Sequence, residues 1–418
     1  MMASRVVITG LGIVSPIGIG VSSFWGAALR GESGIKTIQP FGNLPMDFYR
    51  SRVAGQISDF APPGPEEDKL SSRVDRYAQF ALMATREAIQ DSGLQLEQER
   101  DDRIGVMAGV GMGGMIMGER ELTNLYQSQQ PHRVHPNFIP TITLNSASGI
   151  LAMAFGAKGP NLTLSTACSS SIHAIGQAIQ CIRQSQADVM IAVGADASIT
   201  PLVFAGFCSL RALSTKYNDQ PSQASRPFDR GRDGFVMGEG AGTLILESLR
   251  HATRRKARIY AELVGYAAAS EAYHMVIPRE DGLDIAKTMG LALKNAGLSP
   301  NKVDYVNAHA TSTVIGDNVE VKGLRRVFGK RANKIAVNAT KSLIGHTLGA
   351  AGAIGTLASA LSIYMGVIHP TLNYNDPDPE CALPGLSNAV QKKSIRVALV
   401  NAFGFGSNNA VLVLKAFS

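Results

Sequence analysis

The chain of 418 residues is 45% hydrophobic and 17% charged, which excludes an intrinsically disordered protein and leaves room for two or three domain-sized units. Its net charge of +7 permits an acidic partner, but lysine and arginine are not clustered densely enough for a nucleic-acid-binding protein, so we expect no nucleic-acid partner. The four cysteines have no C-x-x-C spacing, which disfavours a zinc site or a disulfide framework and favours a reducing, cytoplasmic environment.

The first part of the chain alternates strand and helix patterns. Apolar runs predict strands at 5–10, 103–110, 188–194 and 242–247. Helices are predicted at 24–29, from the capping segment Ser72–Asp75 to Gly93, and as a charge-free helix within 137–157. Residues 36–68 are predicted to be irregular, with a rigid proline-rich loop at 61–65. The N-terminus enters a strand at Arg5, so we expect no signal peptide.

The segment Leu162–Ile182 joins a short strand to a helix of several turns through the small residues Ser165–Ser171. Cys168 therefore lies at a strand-to-helix turn, where free N–H groups and the helix dipole favour a nucleophilic thiolate. On this geometry alone a buried structural cysteine is the stronger alternative.

Three glycines after the strand at 103–110 match G-x-G-x-x-G, namely Gly109, Gly111 and Gly114. This motif is found in dinucleotide-binding proteins, but here no acidic residue closes a second strand about twenty residues further on. A nicotinamide-dependent oxidoreductase would depend on this loop alone. Close approach of the backbone to another group is the better interpretation.

The second part of the chain repeats the first in outline. Strands are predicted at 261–266 and 303–308, a helix at 284–297, a strand–turn–helix unit at 335–352 that resembles the Cys168 unit, and two strands joined by a glycine turn within 396–414. We therefore predict an α/β fold with two similar halves, 1–256 and 257–418. The charge-free stretch Thr347–Ile368 imitates a membrane span, but we interpret it as a buried core helix and expect no membrane association.

Two histidines, His309 and His346, follow predicted strands, where α/β proteins often place chemistry. Either one alone is more often a structural residue. Neither has a second ligand at i+2, i+3 or i+4, so a metal site is disfavoured and we expect no metal ion or other cofactor.

Together these motifs resemble the β-ketoacyl-[acyl-carrier-protein] synthases of the type II elongating class, over essentially the whole chain. The segments that carry the resemblance are Thr-Ala-Cys168-Ser-Ser-Ser, Val-Asn-Ala-His309, Lys341-Ser-Leu-Ile-Gly-His346, Gly404-Phe405-Gly406, Arg226-Pro-Phe-Asp, Arg232-Asp-Gly-Phe-Val and Ser270–Met275. The resemblance implies the thiolase-like fold, with duplicated α/β halves in αβαβα layers.

The resemblance also implies an acyltransferase of fatty-acid synthesis. Cys168 would hold an acyl group as a thioester, and the enolate formed when malonyl-carrier protein loses CO₂ would extend it by two carbons. His309 and His346 would donate hydrogen bonds to the enolate oxygen. The N–H groups of Cys168 and Phe405 would form an oxyanion hole. Lys341 would order the site, paired with Glu320 and near a further acid, Asp317, and Phe405 would be a gate with Glu271 in the supporting loop. The resemblance also implies an acyl pocket at Met112 and Phe138 and carrier-protein contacts at Lys69, Arg73, Arg76 and Arg211.

Five positions depart from the family pattern. Ala310 stands where glycine normally follows the first histidine, Ser407-Asn408 replaces Gly-Thr, Ala402 replaces serine, and Gly355 replaces glutamate. The last two positions help to hold a structural cation in some members, so we expect no such ion here. These changes concern substrate specificity and gating more than the condensation.

The expected partners are acyl- and malonyl-loaded acyl carrier protein and a second copy of the chain, paired across a two-fold axis through the strand before Cys168. The alternative function is a specialised polyketide or polyene ketosynthase, working with a chain-length-factor-like subunit in a heterodimer. A non-catalytic subunit is disfavoured because Cys168 is present. A degradative thiolase is disfavoured because Phe405 stands where that enzyme would have a second cysteine.

Overall fold

The structure is a computed structural model that describes residues 4–61 and 69–417. The prolines of the loop predicted at 61–65 lie outside these residues. The strands are β1 Val6–Ser15, β2 Gly18–Ile19, β3 Lys36–Thr37, β4 Val53–Gly55, β5 Ile104–Val110, β6 Asn161–Leu164, β7 Val189–Asp196, β8 Met237–Gly238, β9 Gly240–Ser248, β10 Ala261–Ser270, β11 Tyr305–Asn307, β12 Ala336–Asn338, β13 Val367–Ile368, β14 Gln391–Lys392, β15 Val397–Gly404 and β16 Asn408–Lys415.

The α-helices lie between these strands, joined in places by short 3-10 turns. They are α1 Val21–Arg30, α2 Arg76–Ser92, α3 Met115–Ser128, α4 Phe138–Ile142, α5 Ser146–Phe155, α6 Ser170–Arg183, α7 Pro201–Ser209, α8 Leu249–Arg254, α9 Leu283–Asn295, α10 Val314–Phe328, α11 Lys341–Ile344 and α12 Ala351–Met365.

The main sheet has the same strand pattern in both halves of the chain. The first half has the order β1-β9-β7-β5-β6 and the second has β10-β16-β15-β11-β12. In each half the first two pairings are antiparallel and the last two are parallel. The halves meet where β1 pairs with β10 at Val6–Ile8. We propose that the boundary between them lies at residues 256 and 257, in the turn between α8 and β10, which this repeat supports.

Helices cover both halves of the sheet and fill the space between them. One core cluster joins α6 and α12 to strands of both halves. A second packs α2 and α5 on the outer face of the first half, and a third packs α9 and α10 on the outer face of the second. The predicted layered α/β architecture is therefore confirmed.

One helical stretch in the described part of the chain is long and apolar enough to cross a membrane. It is Leu348–Met365, with a mean hydropathy of 1.5, and 83% of it is buried inside the protein. It includes α12, which lies between the two halves of the sheet. The interpretation of this stretch as a core helix therefore agrees with the structure.

The helix predicted from the capping segment Ser72–Asp75 to Gly93 agrees with α2: Asp75 is its N-cap and accepts a hydrogen bond from the Arg76 N–H, and Gly93 ends it in the left-handed conformation. Two other local predictions were wrong. The helix within 137–157 is broken into α4 and α5, because Thr143 is extended with ψ of 140°. Residues 36–68 contain β3 and β4, which form a small sheet with β8.

The predicted site residues follow strands of both halves. Cys168 follows β6 in the first half, and His309 and Phe405 follow β11 and β15 in the second. β11 and β15 run parallel, so His309 and Phe405 leave the second half of the sheet at the same end. The Ser171 hydroxyl at the start of α6 accepts a 2.9 Å hydrogen bond from Ala353 N–H at the start of α12, joining the two halves beside the site.

Candidate active site

A cavity of about 580 Å³ lies between the two halves of the chain, with residues of both in its wall. Cys168, His309, His346 and Phe405 all line it. Residues from both halves of the chain therefore form one site, although they are far apart in the sequence.

The turn before α6 is held by short polar side chains. Ser170 Oγ accepts a 2.9 Å hydrogen bond from Thr166 N–H and donates a 2.6 Å hydrogen bond to Ala167 O. Ala167 has φ of 53°, in the left-handed region, which is strained for a residue other than glycine. These contacts fix Cys168 at the wall of the cavity.

Gly404 lies so close to this turn that no larger residue fits. A Cβ there would be 2.6 Å from Thr166 O and 3.2 Å from Cys168 N. The close approach brings the main-chain N–H of Phe405 to the Cys168 thiol, where it lowers the thiol's pKa.

The resting state of Cys168 differs from the prediction. Burial raises the pKa of the thiol to about 11, although the Lys341 charge and the N–H groups of Phe405 and Cys168 act in the opposite direction. The expectation that the turn favours a resting thiolate was therefore wrong, because desolvation outweighs the helix terminus at a residue only 8% exposed.

The two histidines lie against each other, with ring centroids 5.5 Å apart and ring planes at 87°. His309 Nδ1 and both ring nitrogens of His346 are buried and have no hydrogen-bond partner. Burial, assisted by the positive charge of Lys341, holds the pKa of both imidazoles well below the ordinary value. Both rings are therefore neutral at pH 7, with polar nitrogens free for a ligand in the cavity.

Lys341 does not pair directly with Glu320 as predicted. Its Nζ donates a 2.5 Å hydrogen bond to His309 O. The Glu320 carboxylate accepts instead from the N–H groups of His309 and Ala310, at 2.8 and 2.7 Å. Lys341 and Glu320 thus hold the same segment from two sides, and burial lowers the pKa of Lys341 to about 8.

Asp317 supports the segment that follows His309. Its carboxylate accepts hydrogen bonds from Phe228 N–H at 2.8 Å and Ser312 N–H at 3.1 Å, and it lies 3.7 Å from Arg232. Burial raises its pKa to about 7 despite the arginine.

Comparison with known proteins agrees with this geometry. Residues 3–252 match the family described as the beta-ketoacyl synthase N-terminal domain, and residues 260–375 match its C-terminal domain. The chain belongs to the beta-ketoacyl synthase family. The family resemblance, the fold and the acyltransferase class predicted from the motifs are confirmed.

Three similar proteins illustrate the match. A 3-oxoacyl-[acyl-carrier-protein] synthase 2 of Coxiella burnetii is 42% identical over 415 residues, 99% of both chains. A type II PKS ketosynthase, solved in complex with its acyl-carrier protein (AntDE:AntF) and bound to the hexaketide, superposes with a TM-score of 0.93 at 35% identity over 100% of both chains. The ishigamide ketosynthase/chain length factor superposes with a TM-score of 0.90 at 31% identity over 100% of both chains.

The predicted acyl-pocket residues of this beta-ketoacyl synthase are not both at the cavity. Gly111 and Met112 line it, so the glycine loop forms pocket wall. Phe138 does not line the cavity of its own chain. It belongs to α4, whose neighbouring residue Ile139 is 63% exposed, so the helix lies at the protein surface.

The four predicted carrier-protein contacts have different surroundings. Arg211 is exposed and lines the cavity, and Lys69 and Arg73 are exposed elsewhere. Arg76 instead forms a 2.8 Å ion pair with Glu239 and lies 4.7 Å from the ring centroid of Phe80. Its charge is therefore already neutralised within the protein, which the sequence did not reveal.

The departures from the family pattern have local structural consequences. Ala310 has φ of 42°, a strained value that glycine would tolerate. A Cβ at Gly355 would lie 2.8 Å from Asn307 Oδ1, so this asparagine occupies the space that a larger side chain would need. Among the described residues, no group of three or more His, Cys, Asp or Glu side chains could hold a metal ion.

Sequence analysis missed Asp196, a buried carboxylate at the end of β7. It accepts hydrogen bonds from the N–H groups of Gly111, Met112 and Gly349, at 2.9, 3.1 and 2.7 Å. It thereby ties the pocket wall to the turn that follows His346. Its position at a strand end was a usable signal, but the predicted strand stopped at Gly194.

The raised pKa predicts slow alkylation of Cys168 in the free enzyme. Because the thiolate is the reacting form, the rate at which iodoacetamide alkylates Cys168 should rise roughly tenfold per pH unit between about pH 7 and about pH 9.5, without a plateau. Lys341→Met should slow the reaction near pH 7, because it removes a charge that lowers the thiol's pKa, and the difference should shrink above about pH 8, where burial leaves the lysine itself mostly neutral. Peptide mass mapping, with Cys168→Ala as control, measures the rate, and a plateau below about pH 9 would contradict the assignment.

Proposed function

We propose that this beta-ketoacyl synthase is a 3-oxoacyl-[acyl-carrier-protein] synthase of the type 2 class, which extends an acyl chain by two carbons through decarboxylative condensation with malonyl-carrier protein. The observation that carries the proposal is the pair of neutral imidazoles, with unpartnered ring nitrogens, in the same cavity as Cys168. The 42% identity to a full-length synthase of this class supports it.

In the first half-reaction, Cys168 Sγ bonds to the acyl carbonyl carbon and the thiol of the carrier leaves. The cysteine proton passes to that leaving thiolate. Since burial raises the pKa of Cys168 to about 11, proton loss accompanies attack rather than preceding it. The N–H groups of Cys168 and Phe405 form the oxyanion hole for the tetrahedral intermediate.

In the second half-reaction, malonyl-carrier protein loses CO₂ and leaves an enolate. His309 and His346 donate hydrogen bonds to the thioester oxygen on which negative charge develops. The enolate carbon then attacks the acyl carbonyl, the bond to Cys168 breaks, and the released thiolate takes a proton. Side chains and main-chain groups carry every step, so we propose no cofactor.

Lys341, Glu320 and Asp317 act as positioning residues. Lys341 fixes the His309 carbonyl and Glu320 fixes the N–H groups of His309 and Ala310. Asp317 anchors the following turn at Ser312. The Lys341 charge also opposes protonation of both imidazoles, which must stay neutral to stabilise an anion without donating a full proton to it.

Phe405 acts as a gate between the two half-reactions, with Glu271 in the supporting loop. The Phe405 ring is partly buried and lies 6.5 Å from that of Phe207, centroid to centroid, at the cavity wall. Glu271 also lines the cavity and accepts a 2.9 Å hydrogen bond from Asn409 at the start of β16, which follows the Phe405 turn.

Replacing either histidine should separate the half-reactions. His309→Ala and His346→Ala should lower condensation by about 100-fold or more, because a donor to the enolate is lost, while acyl transfer to Cys168 stays within about tenfold of the unaltered enzyme. Intact mass spectrometry with acyl- and then malonyl-carrier protein measures both steps. His132→Ala, at an exposed site, is the matched control. An equal loss of acyl transfer and condensation would contradict the role assigned to the imidazoles.

The same assay distinguishes the second candidate function, a polyketide or polyene ketosynthase with a chain-length-factor-like partner. Ketosynthases of polyketide systems with TM-scores of 0.90 and 0.93 favour it, as do the departures at Ala310 and Ser407. Transfer of saturated chains and a product two carbons longer supports the fatty-acid role. Acylation by polyene chains alone, or only after a second subunit is added, supports the alternative.

An acidic acyl carrier protein docks at the cavity mouth through Arg211, in this proposal. The residue is exposed, lines the cavity, and projects from a strained turn with φ of 55°. Lys69 and Arg73, exposed away from the cavity, are proposed as further carrier-protein contacts. We exclude Arg76 from it because of its ion pair with Glu239.

Reversing the charge at the mouth should weaken carrier binding selectively. Arg211→Glu should raise KM for malonyl-carrier protein about fivefold to tenfold at low salt with little change in kcat, and the difference should shrink at high salt. Steady-state kinetics at two salt concentrations measure this. The control is Lys392→Glu in β14, which pairs with β13 beyond the far end of α12. A fall in kcat at unchanged KM would argue against docking.

The protein forms a homodimer through β6, in this proposal. This strand ends the sheet formed by residues 4–61 and 69–417, in which its outer edge has no partner strand and so can pair with a second copy. Exposed apolar side chains lie on β6 and on the neighbouring α5, with Leu162 56% and Met153 66% exposed. We place the protein in the cytoplasm because its cysteines are all free and buried.

A charge on the edge strand should disrupt the dimer. Leu162→Glu should give a monomer by light scattering at micromolar concentration, because burying an unpaired carboxylate in the interface is unfavourable. Met365→Glu alters a residue of similar exposure, 54%, at the far end of α12 and should remain dimeric. A dimer in both variants would exclude β6 as the interface.

A further inference from the structure

The turn that carries Phe405 is fastened to a second loop, residues 271–278, by Ser407. Its Oγ donates a 3.0 Å hydrogen bond to His274 O. The same atom accepts from the N–H groups of Tyr273 and His274, at 3.3 and 3.4 Å. Ser407 has φ of 63°, a backbone conformation that is strained for serine and unstrained for glycine.

Main-chain contacts place these loops in register. The N–H of Glu271 donates to Ser407 O at 3.1 Å, and the N–H of Gly406 donates to Met275 O at 2.7 Å. The Ser407 hydroxyl bridges the stretch between these two bonds, at Tyr273 and His274. The loop and the turn are therefore joined along their length.

Both segments line the cavity that contains Cys168. The turn contributes Phe405 and Ser407, and the loop contributes Glu271, His274 and Ile277. The side chains of Tyr273 and Met275 are 59% and 78% exposed, so this part of the loop has little apolar packing to hold it. Its position depends on the hydrogen bonds to the turn.

We propose that Ser407 is a positioning residue whose hydroxyl latches the 271–278 loop onto the Phe405 turn and holds the entrance closed over acylated Cys168. This inference rests on the proposed role of Phe405 as the gate. Opening the entrance requires the hydroxyl to give up its three contacts with the loop. The latch therefore lengthens the life of the acyl-enzyme by slowing the entry of water.

The test compares Ser407→Ala, which removes only the hydroxyl, with Ser407→Gly, which also relieves the backbone strain and so protects against misfolding. In the unliganded enzyme, amide hydrogen exchange over 271–277 and 404–409 should become about tenfold faster in both variants, with α12 unchanged. Ser33→Ala is the control, because its hydroxyl also accepts from a loop N–H, that of Ile35 at 3.2 Å.

A second readout is the lifetime of acyl-Cys168 without malonyl donor, followed by intact mass. It should shorten about threefold to tenfold in both variants as water hydrolyses the thioester to free acid and thiol. Unchanged exchange in both variants would overturn the latch, and an unchanged lifetime with faster exchange would overturn its role in closing the entrance. If the unaltered enzyme accepts no acyl group, the proposed function fails, and the exchange experiment alone decides the latch.

Discussion

The hydrogen bond from buried Lys341 to the His309 carbonyl is the interaction on which the site depends. It holds the histidine segment to α11, at the end of a different strand. It also keeps a cation near three groups whose protonation matters, since this charge lowers the pKa of Cys168, His309 and His346. One side chain thus fixes the geometry and adds to the effect of burial, which keeps both imidazoles neutral.

Lys341 can have this effect only because the site is dry. Lys341 is itself buried, beside the core cluster that joins the two halves, and charges interact more strongly where water is excluded. The same dryness raises the pKa of Cys168 to about 11. Burial therefore favours the neutral imidazoles needed for condensation and opposes ionisation of the thiol in acyl transfer, so the acylation step requires a proton acceptor that arrives with the substrate.

Much of the architecture could be predicted from local pattern. Apolar runs located the strands of both halves, and the repeated strand–turn–helix unit revealed the duplication. Family motifs pointed to Cys168, His309, His346 and Phe405, which share one cavity. These features succeed because they depend on neighbours in the sequence or on a motif that includes the reacting atom.

The features that could not be predicted from the sequence share a different cause. The protonation state of Cys168, the partners of Lys341 and Arg76, and the position of Phe138 depend on contacts across the fold. Asp196 reaches Gly111 and Gly349, which are separated from it by 85 and 153 residues. No local pattern encodes such partners, and desolvation is a property of the completed core.

Backbone strain at the site follows from the same need for fixed geometry. Ala167, Ala310 and Ser407 all have positive φ and none is glycine, at a cost of order 1 kcal/mol each. Each is held by hydrogen bonds: Ala167 through Ser170, Ala310 through Glu320, and Ser407 through the 271–278 loop. Strain beside Cys168, His309 and the proposed gate at Phe405 persists because neighbouring polar groups compensate for it. Relieving it with glycine would free the backbone that positions the reacting groups, so rigidity at these turns has value even where it reduces stability.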